Sequence, residues 1–461
     1  MLRFTGSLSS IFVIVFAVAC SGGTSHRNVP PGDAGPDGEG VGGSAGGGGA
    51  GGKGGTAGNG GTAGIGGGNG GTGGATPDAG TTDGRISAEA GTDASTTDAS
   101  EPPGDGGADA SSTFVPGVVG DALPSLAAPA CPIRLAVDAV GTPYAAYVNA
   151  TSSLIEVSKL TGASWSAVGG PTMTGTWASS HCHSLALEPN GNPVVAFTDF
   201  VAAGPTYQVE VQRYTGTTWE PLGAPFASTY YVSWSEIAAD SSGRVVLATS
   251  FASSVDVRRW DDVGKTWTPL GTPFFGAQQQ VGEVHLTLKP DGNPVVAWLE
   301  GTGGSNAARL YAAEFDGVNW TTLGGAIDSV PDATQGLSPA SVAWDGAPVV
   351  AWAKWLSGPR VFGVKRWNGS SWADLTPPAD PLRQPFRVEV LAEAGHLTIA
   401  WGEDGDTRFQ QYASGTWGTA TSFHSGSLQK VAYPMLASGG GRLYMSHQGA
   451  GNDGYVLRMI P

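Results

Sequence analysis

The strongest constraint on the fold of this chain is a unit of about fifty residues that recurs between Thr113 and Pro461. Each copy has an apolar strand, a glycine turn, a β-branched strand, a third strand and a late tryptophan, as in LALEPNGNPVVAFTDF and LTLKPDGNPVVAWLEG. The turn glycine recurs at Gly141, Gly191, Gly243, Gly292, Gly346, Gly395 and Gly441. The late tryptophan recurs at Trp165, Trp219, Trp267, Trp320, Trp372 and Trp417.

A period of this length with four short strands per unit is typical of β-propeller blades. No segment shows a sustained helical period, so the fold class is predicted to be all-β. The final unit stops after its third strand, and the segment 114–120, with Phe114 in phase with the tryptophans, can supply the missing one. We therefore predict a seven-bladed β-propeller of four-stranded blades over residues 113–461, closed by an N-terminal strand.

The first 19 residues have the pattern of a signal peptide. The apolar stretch 8–19 is too short to span a bilayer, which takes roughly 20 helical residues. The segment Ala17-Val18-Ala19-Cys20 then resembles the bacterial lipobox. That resemblance implies that the Cys20 thiol is acylated and becomes the new N-terminus of a lipoprotein. The alternative is ordinary secretion, because Ala17-Val18-Ala19 is also a site for the general signal peptidase.

Residues 20–112 are rich in Gly, Ala, Thr, Ser and Asp and have no apolar period, so we predict a long disordered tether. The net charge of −16 without a basic stripe argues against a nucleic-acid partner. It also argues against adsorption to an anionic membrane, so membrane attachment would be covalent, through lipid at Cys20. The predicted location is the bacterial cell envelope, as an outer-membrane or cell-surface lipoprotein, and otherwise the medium; a monomer is expected.

Two cysteines remain within the repeats. Cys131 and Cys182 occupy near-equivalent positions before the first strands of adjacent blades, and a disulfide is predicted in an exported protein. The alternative is a pair of buried thiols. The segment His181-Cys182-His183 could suggest a metal, but no fourth ligand has fitting spacing, so no metal site is predicted.

Two sets of residues are candidates for ligand binding on a propeller face. Polar residues eight positions after the turn glycine are Asn149, Asp199, Glu300, Lys354 and Glu403. Aromatic residues before the first strands are Trp177, Tyr230, Tyr231 and Trp234. Rings that stack on sugars beside carboxylates that accept hydroxyl hydrogen bonds suit a carbohydrate. The alternative is solvated strand ends with aromatic packing between blades.

A third set is expected at the top of the first strands, near the central channel: Arg134, Glu236, His285 and Arg387. These residues could bind an anion, or they could form a polar network that holds the blades in register. Glu403, Asp404 and Asp406 could hold Ca²⁺, but a lone acidic loop without EF-hand spacing is more typical of a solvated turn. No cofactor is therefore predicted.

The segment Asp262-Val263-Gly264-Lys265-Thr266-Trp267 resembles the Asp-box of sialidase-like propellers, in which the box is structural. The resemblance implies a fold and no activity. The function predicted from the sequence is a non-catalytic binding module for glycan or protein, and not an enzyme. One alternative is a sialidase-like glycoside hydrolase, for which Arg134, Arg387 and Glu236 are the nearest match to the required residues. Another is a protein-docking scaffold.

Overall fold

The computed structural model describes residues 115–123, 132–171, 183–201, 206–228, 232–251, 254–272, 274–275, 280–301, 308–330, 335–337, 340–356, 360–377, 385, 387–393, 395–403, 406–424, 434–448 and 454–460. The predicted signal peptide, tether and lipidation site lie outside these residues. So do several further residues that carry predictions: Phe114, Cys131, Trp177, His181, Cys182, Tyr230, Tyr231 and Asp404.

The described residues form 33 strands and no helix, and the strands make seven antiparallel sheets, here called blades 1 to 7. Blade 1 contains β2 (Arg134–Val137), β3 (Pro143–Val148), β4 (Ile155–Thr161) and β5 (Ser164–Ala167). Blade 2 contains β6 (Ser184–Leu187), β7 (Pro193–Val201), β8 (Thr206–Tyr214), β9 (Trp219–Pro221) and β10 (Phe226–Ser228). Blade 3 contains β11 (Val232–Ala239), β12 (Val245–Phe251), β13 (Ser254–Asp261), β14 (Thr266–Pro269) and β15 (Phe274–Phe275).

The second half of the ring repeats this arrangement. Blade 4 contains β16 (Gln280–Leu288), β17 (Pro294–Gly301), β18 (Ala308–Phe315), β19 (Trp320–Thr322) and β20 (Asp328–Val330). Blade 5 contains β21 (Gln335–Leu337), β22 (Ser341–Trp344), β23 (Pro348–Leu356), β24 (Arg360–Trp367) and β25 (Trp372–Asp374). Blade 6 contains β26 (Val388–Glu393), β27 (His396–Glu403), β28 (Asp406–Ala413), β29 (Thr416–Trp417) and β30 (Thr421–His424). Blade 7 contains β31 (Leu436–Gly439), β32 (Arg442–Gln448), β33 (Gly454–Ile460) and β1 (Val115–Val118).

The predicted all-β, seven-bladed propeller is confirmed. In blades 2, 3, 4 and 6 the fourth position is filled by two short strands that both pair with the third strand, and in blade 5 the first strand is divided in this way. Each first strand contacts the first strands of both neighbouring blades, so these strands surround a central channel. All seven turn glycines have φ between 67° and 85°, a left-handed conformation that glycine adopts without steric cost.

Blade 7 is completed from the other end of the chain. β1 pairs antiparallel with β33, with Val115 opposite Ile460 and Val118 opposite Leu457. Gly120 follows with φ of 74°, and a Cβ placed there would lie 2.6 Å from Leu160 of the next blade. Pairing the two termini in one sheet leaves no gap in the ring and covers the edge of β33.

The core consists of seven apolar clusters, one at each interface between neighbouring blades. The second strands contribute the most deeply buried side chains, such as Val194, Val195 and Phe197, which have no exposed surface. These strands are apolar without alternation because both of their faces pack against neighbouring blades. Among the described residues, none belongs to a helix with the length and apolar character needed to cross a membrane.

The late tryptophans join each blade to the one before it. Five indole N–H groups donate to backbone carbonyls of the preceding blade: Trp219 to Val168, Trp267 to Leu222, Trp320 to Leu270, Trp372 to Leu323 and Trp417 to Leu375. The indole nitrogen of Trp165 finds no hydrogen-bond partner among the described residues. The tryptophan that defines the sequence repeat is thus a link between blades.

Candidate functional site

One residue of each first strand lies at the same level of the channel. In blades 1 to 6 this residue is opposite a buried alanine of the second strand, and in blade 7 the backbone carbonyl at this level accepts a hydrogen bond from Ser446. We call this level the channel tier: Arg134, Ser184, Glu236, His285, Ser341, Glu389 and Met435. Side chains two residues apart on a strand point to the same face. Residues two positions before a tier residue therefore also face the channel, but further from the glycine turns, and this direction is called above the tier.

Seven residues at and above the tier make one polar group, here called the channel cluster: Arg134, Trp234, Glu236, Glu283, His285, Arg387 and Glu389. Its centre is Glu236, whose carboxylate lies 3.4 Å from Nη1 of Arg134 and 3.0 Å from Nδ1 of His285. The indole of Trp234 also donates to this carboxylate, at 3.4 Å. These contacts connect blades 1, 3 and 4.

A second ion pair crosses the channel from blade 6 to blade 4. Nη2 of Arg387 lies 3.0 Å from Oε2 of Glu283, and Nε2 of His285 lies 3.7 Å from the same oxygen. Both guanidinium groups stack on Trp234, with the Cζ of Arg134 at 5.1 Å and that of Arg387 at 4.8 Å from the ring centroid. Two cations thus share one aromatic ring in the channel, and each is paired with a carboxylate.

Glu236 and His285 each favour the charged form of the other. Burial by itself would raise the pKa of Glu236, but Arg134 and His285 outweigh it and hold that pKa at about 2. Burial opposes the charge of His285, and the adjacent Glu236 carboxylate more than compensates, so the pKa of His285 is raised above its ordinary value of 6.5. A proton placed on His285 is therefore retained at neutral pH more readily than on an exposed histidine.

Glu389 behaves in the opposite way. Burial raises its pKa from 4.5 to about 7, and the neighbouring Glu236 carboxylate adds to this, against the smaller effects of His285 and the two arginines. Among the described residues no group donates a hydrogen bond to its carboxyl or forms an ion pair with it. The same channel thus holds one ionised carboxylate and one carboxyl that keeps its proton up to neutral pH.

Glu389 also lines a cavity of about 490 Å³ that reaches the tier from the end of the ring carrying the glycine turns. The cavity walls come from blades 3 to 6 and combine apolar side chains, such as Leu286 and Trp344, with polar ones, such as Thr287 and Lys289. At the opposite end, the side chains of Glu236 and Glu283 remain 16% and 28% exposed. Solvent therefore reaches the channel cluster from both directions.

The structure brings together all four channel residues named from the sequence, Arg134, Glu236, His285 and Arg387, and adds Trp234 from the aromatic set. Glu283 and Glu389 were missed. Glu236 and His285 lie seven residues before their turn glycines, whereas Glu389 lies six before Gly395 because blade 6 has a two-residue turn between Glu393 and His396. Counting from strand pairing instead of from glycine would have found it.

The five polar residues named eight positions after the turn glycine are placed differently from one another. Three are buried at 7% exposure or less: Asp199, Glu300 and Glu403. Glu300 accepts a hydrogen bond from Trp298 at 2.9 Å, and Glu403 pairs with Arg408 at 3.0 Å.

The other two polar residues of this set are less buried. Lys354 pairs with Asp328 at 2.9 Å, and Asn149 accepts the backbone N–H of Thr151 at 2.8 Å. Glu300, Glu403 and Asn149 thus contact residues of their own blades, whereas Lys354 of blade 5 pairs with Asp328 of blade 4, and none of these contacts joins two members of the set. Within the described part of the chain no group of three or more His, Cys, Asp or Glu residues is placed to hold a metal ion.

Solved structures share this fold at low sequence identity. The polysaccharide lyase Uly1 is 10% identical with a TM-score of 0.48, over 71% of this chain and 89% of that one. The α-L-arabinofuranosidase Arb93A of Fusarium graminearum is 11% identical with a TM-score of 0.45, over 75% and 98%. The α-L-arabinanase of Penicillium chrysogenum is 15% identical with a TM-score of 0.42, over 60% and 92%. No protein-family model matches the chain, and neither does any curated protein.

These neighbours correct the function predicted from the sequence. They are named as a polysaccharide lyase, an arabinofuranosidase and an arabinanase, which agrees better with the alternative of a glycoside hydrolase than with the predicted non-catalytic binding module, and that prediction is corrected accordingly. At this level of identity the likeness itself extends only to the propeller fold. The chemistry has to be argued from the channel cluster.

Proposed function

We propose that this protein is a glycoside hydrolase whose reaction takes place at the channel cluster. The observation that carries the proposal is the opposite protonation of two carboxyl groups in one channel, with a pKa of about 2 for Glu236 and about 7 for Glu389. Glycosidic bond cleavage needs one carboxyl that donates a proton and one that is ionised. Environments that push two such pKa values apart are typical of acid–base sites.

The roles follow from the charge states. Glu389 is the general acid, which gives its proton to the oxygen of the departing sugar. Glu236 is the ionised partner, which stabilises the positive charge that develops on the sugar ring, either directly or by activating water. His285 and Arg134 keep Glu236 ionised, and Trp234 offers an aromatic ring of the kind on which sugars stack. The names of the neighbours, an arabinanase complexed with arabinobiose among them, support the choice of a carbohydrate substrate.

The test is hydrolysis by the full chain of a panel of polysaccharides and aryl glycosides, with arabinan and arabinofuranosides included. Release of reducing sugar that falls by 100-fold or more, on the order of the effect of a general acid, in both Glu236→Gln and Glu389→Gln supports the proposal. Glu300→Gln is the matched control, since it changes a buried glutamate bonded to an indole outside the channel. Activity that survives both channel substitutions, or no hydrolysis on any substrate, refutes it. An unsaturated product would instead indicate elimination.

We also propose that the propeller is displayed at the bacterial cell envelope by lipid on Cys20. The short apolar leader, the lipobox-like Ala17-Val18-Ala19-Cys20 and the Gly-rich segment behind it support this proposal. Cells fed labelled palmitate should yield a labelled protein, and Cys20→Ala should abolish the label and release the protein into the medium. Label retained in Cys20→Ala would contradict acylation at this residue.

A further inference from the structure

A cavity of about 490 Å³ lies beneath the channel cluster, at the end of the ring that carries the glycine turns. It is bounded by the ends of β11, β16, β22 and β26, which lead into the turns of blades 3 to 6. Its volume lies within the range of sites that hold small molecules. The cavity reaches the channel cluster at Glu389, beside the ion pairs Arg134–Glu236 and Arg387–Glu283.

The lining of the cavity combines apolar and polar groups. Leu286, Leu288, Val342 and Val390 supply aliphatic walls, Trp344 adds an aromatic one, and Ser241 and Thr287 are neutral and polar. At the mouth, Asp240 is paired with Arg244, and Lys289 lies 3.9 Å from Asp291. Because these two charges are paired locally, Glu389 is the remaining ionisable group of the lining.

Glu389 is partly buried, and it differs from the other two carboxylates of the cluster because no side chain of the described residues pairs with it. Glu236 receives Arg134, His285 and Trp234, and Glu283 receives Arg387. Within the described residues, no donor reaches the Glu389 carboxyl. A buried carboxylate that lacks a partner is costly, and a cation in the adjacent cavity would remove that cost.

We propose that this cavity is a binding site for a small organic cation, whose charge pairs with the carboxylate of Glu389. An ammonium group on an apolar body fits the aliphatic walls, and Trp344 can add a cation–π contact. An anion is disfavoured, because the arginines that could receive it are already paired with Glu236 and Glu283. The proposal goes beyond the hydrolase function, although it shares Glu389 with it, because the cavity reaches this residue from the end of the ring that carries the glycine turns.

Binding is coupled to the protonation of Glu389. The charged groups around this carboxyl are His285 on β16, Glu236 on β11, Arg134 on β2 and Arg387 just before β26. With the pKa of Glu389 at about 7, a permanently charged cation binds the ionised form and must displace a proton below that pH. The affinity for the cation should therefore increase about tenfold for each unit by which the pH rises toward 7, and it should be constant above pH 7.

The experiment uses choline and its uncharged isostere 3,3-dimethylbutanol as probes, with the full chain in a calorimeter. Choline is expected to bind at least tenfold more tightly than the alcohol, with the pH profile given above. Glu389→Gln should abolish this preference, and Ala392→Leu, which fills the cavity without touching the cluster, should block choline. Equal affinity for both probes, a flat pH profile, or full choline binding by Glu389→Gln overturns the proposal.

The pH profile and the pair of probes need no variant, so the proposal remains testable if Glu389→Gln does not fold. The outcome is also separable from that of the hydrolase function. Choline binding without hydrolysis of any glycoside would refute only the catalytic proposal. Hydrolysis that requires Glu389, with no preference for choline, would refute only the cation site.

Discussion

The imidazole of His285 lies 3.0 Å from the carboxylate of Glu236, and the two residues stand at the same level of the channel on neighbouring blades. Each stabilises the charge of the other, so this pair links the stability of the ring to pH. The pKa of Glu236 is lowered and the pKa of His285 is raised. The directions of these two shifts determine the pH range in which the pair stabilises the fold.

The pair should contribute most between about pH 4.5 and 6.5. His285 has a raised pKa in the folded state, so its contribution is complete below 6.5 and is lost as pH rises through the folded value. Glu236 has a lowered pKa, so its contribution is present above 4.5 and is lost as pH falls toward about 2. The Tm difference between the wild type and His285→Gln should be largest in that window and shrink at alkaline pH. A difference that grows with alkalinity would contradict the pairing.

Glu389 should destabilise the fold as pH rises. Its pKa is 4.5 when unfolded and about 7 when folded, so the stability contributed by its bound proton is complete below 4.5 and is lost between 4.5 and 7. The loss is on the order of 3 kcal/mol. The substitution Glu389→Gln keeps the shape of the side chain but removes its charge. Above neutral pH, the free energy of unfolding should therefore be larger for this variant than for the wild type. Denaturation by urea at several pH values measures this; Glu300→Gln is the control.

Most of the fold could be predicted from the sequence, because its determinants are local. Turn glycines with positive φ and apolar second strands mark each blade without reference to any other. The closing strand was predicted with Phe114 in phase with the tryptophans. In the structure, Pro116, which lies opposite Met459, takes the position that the late tryptophan has in the other blades. The backbone hydrogen bonds show this: the N–H of Val119, three residues after Pro116, donates to the carbonyl of Val456, and the N–H of Leu222, three residues after Trp219, donates to the carbonyl of Val211.

The site could be predicted only in part, because its contacts join residues far apart in the chain. Arg134 and Glu236 were recognised as neighbours of the channel, but their pairing depends on how blades 1 and 3 face each other across it. Glu389 was hidden by a shorter turn in its blade. Its raised pKa results from burial within the assembled ring, which no local pattern encodes.

Cys131 and Cys182 remain a sequence-based prediction of a disulfide. The strands that follow them, β2 and β6, contact each other at the interface of blades 1 and 2. Peptide mapping of the exported protein without reduction should recover the two cysteines in one cross-linked peptide. Reduction should then lower the free energy of unfolding by roughly 4 kcal/mol. Free thiols at both positions in the exported protein would contradict the bridge.

The indole links between blades can be measured against an internal control. Trp372→Phe removes the hydrogen bond to the carbonyl of Leu323, 2.8 Å from the indole nitrogen, and reduces packing. Trp165→Phe makes the same change where the indole has no partner among the described residues. The free energy of unfolding should therefore fall by about 1 kcal/mol more in Trp372→Phe than in Trp165→Phe. Equal losses in urea denaturation would show that packing alone holds the blades together.

The junction between the closing strand and blade 1 should be among the positions least tolerant of a side chain. Gly120 has φ of 74°, and a Cβ there would lie 2.6 Å from Cδ1 of Leu160 and 3.0 Å from the indole nitrogen of Trp165. Gly162 has φ of 64° with open space around it, so Gly162→Ala reports the backbone cost alone, about 1–2 kcal/mol. Gly120→Ala should lower the free energy of unfolding by that amount plus the cost of displacing Leu160, roughly 1–3 kcal/mol more. If the two alanine variants unfold at the same urea concentration, the close packing of β1 on blade 1 is refuted.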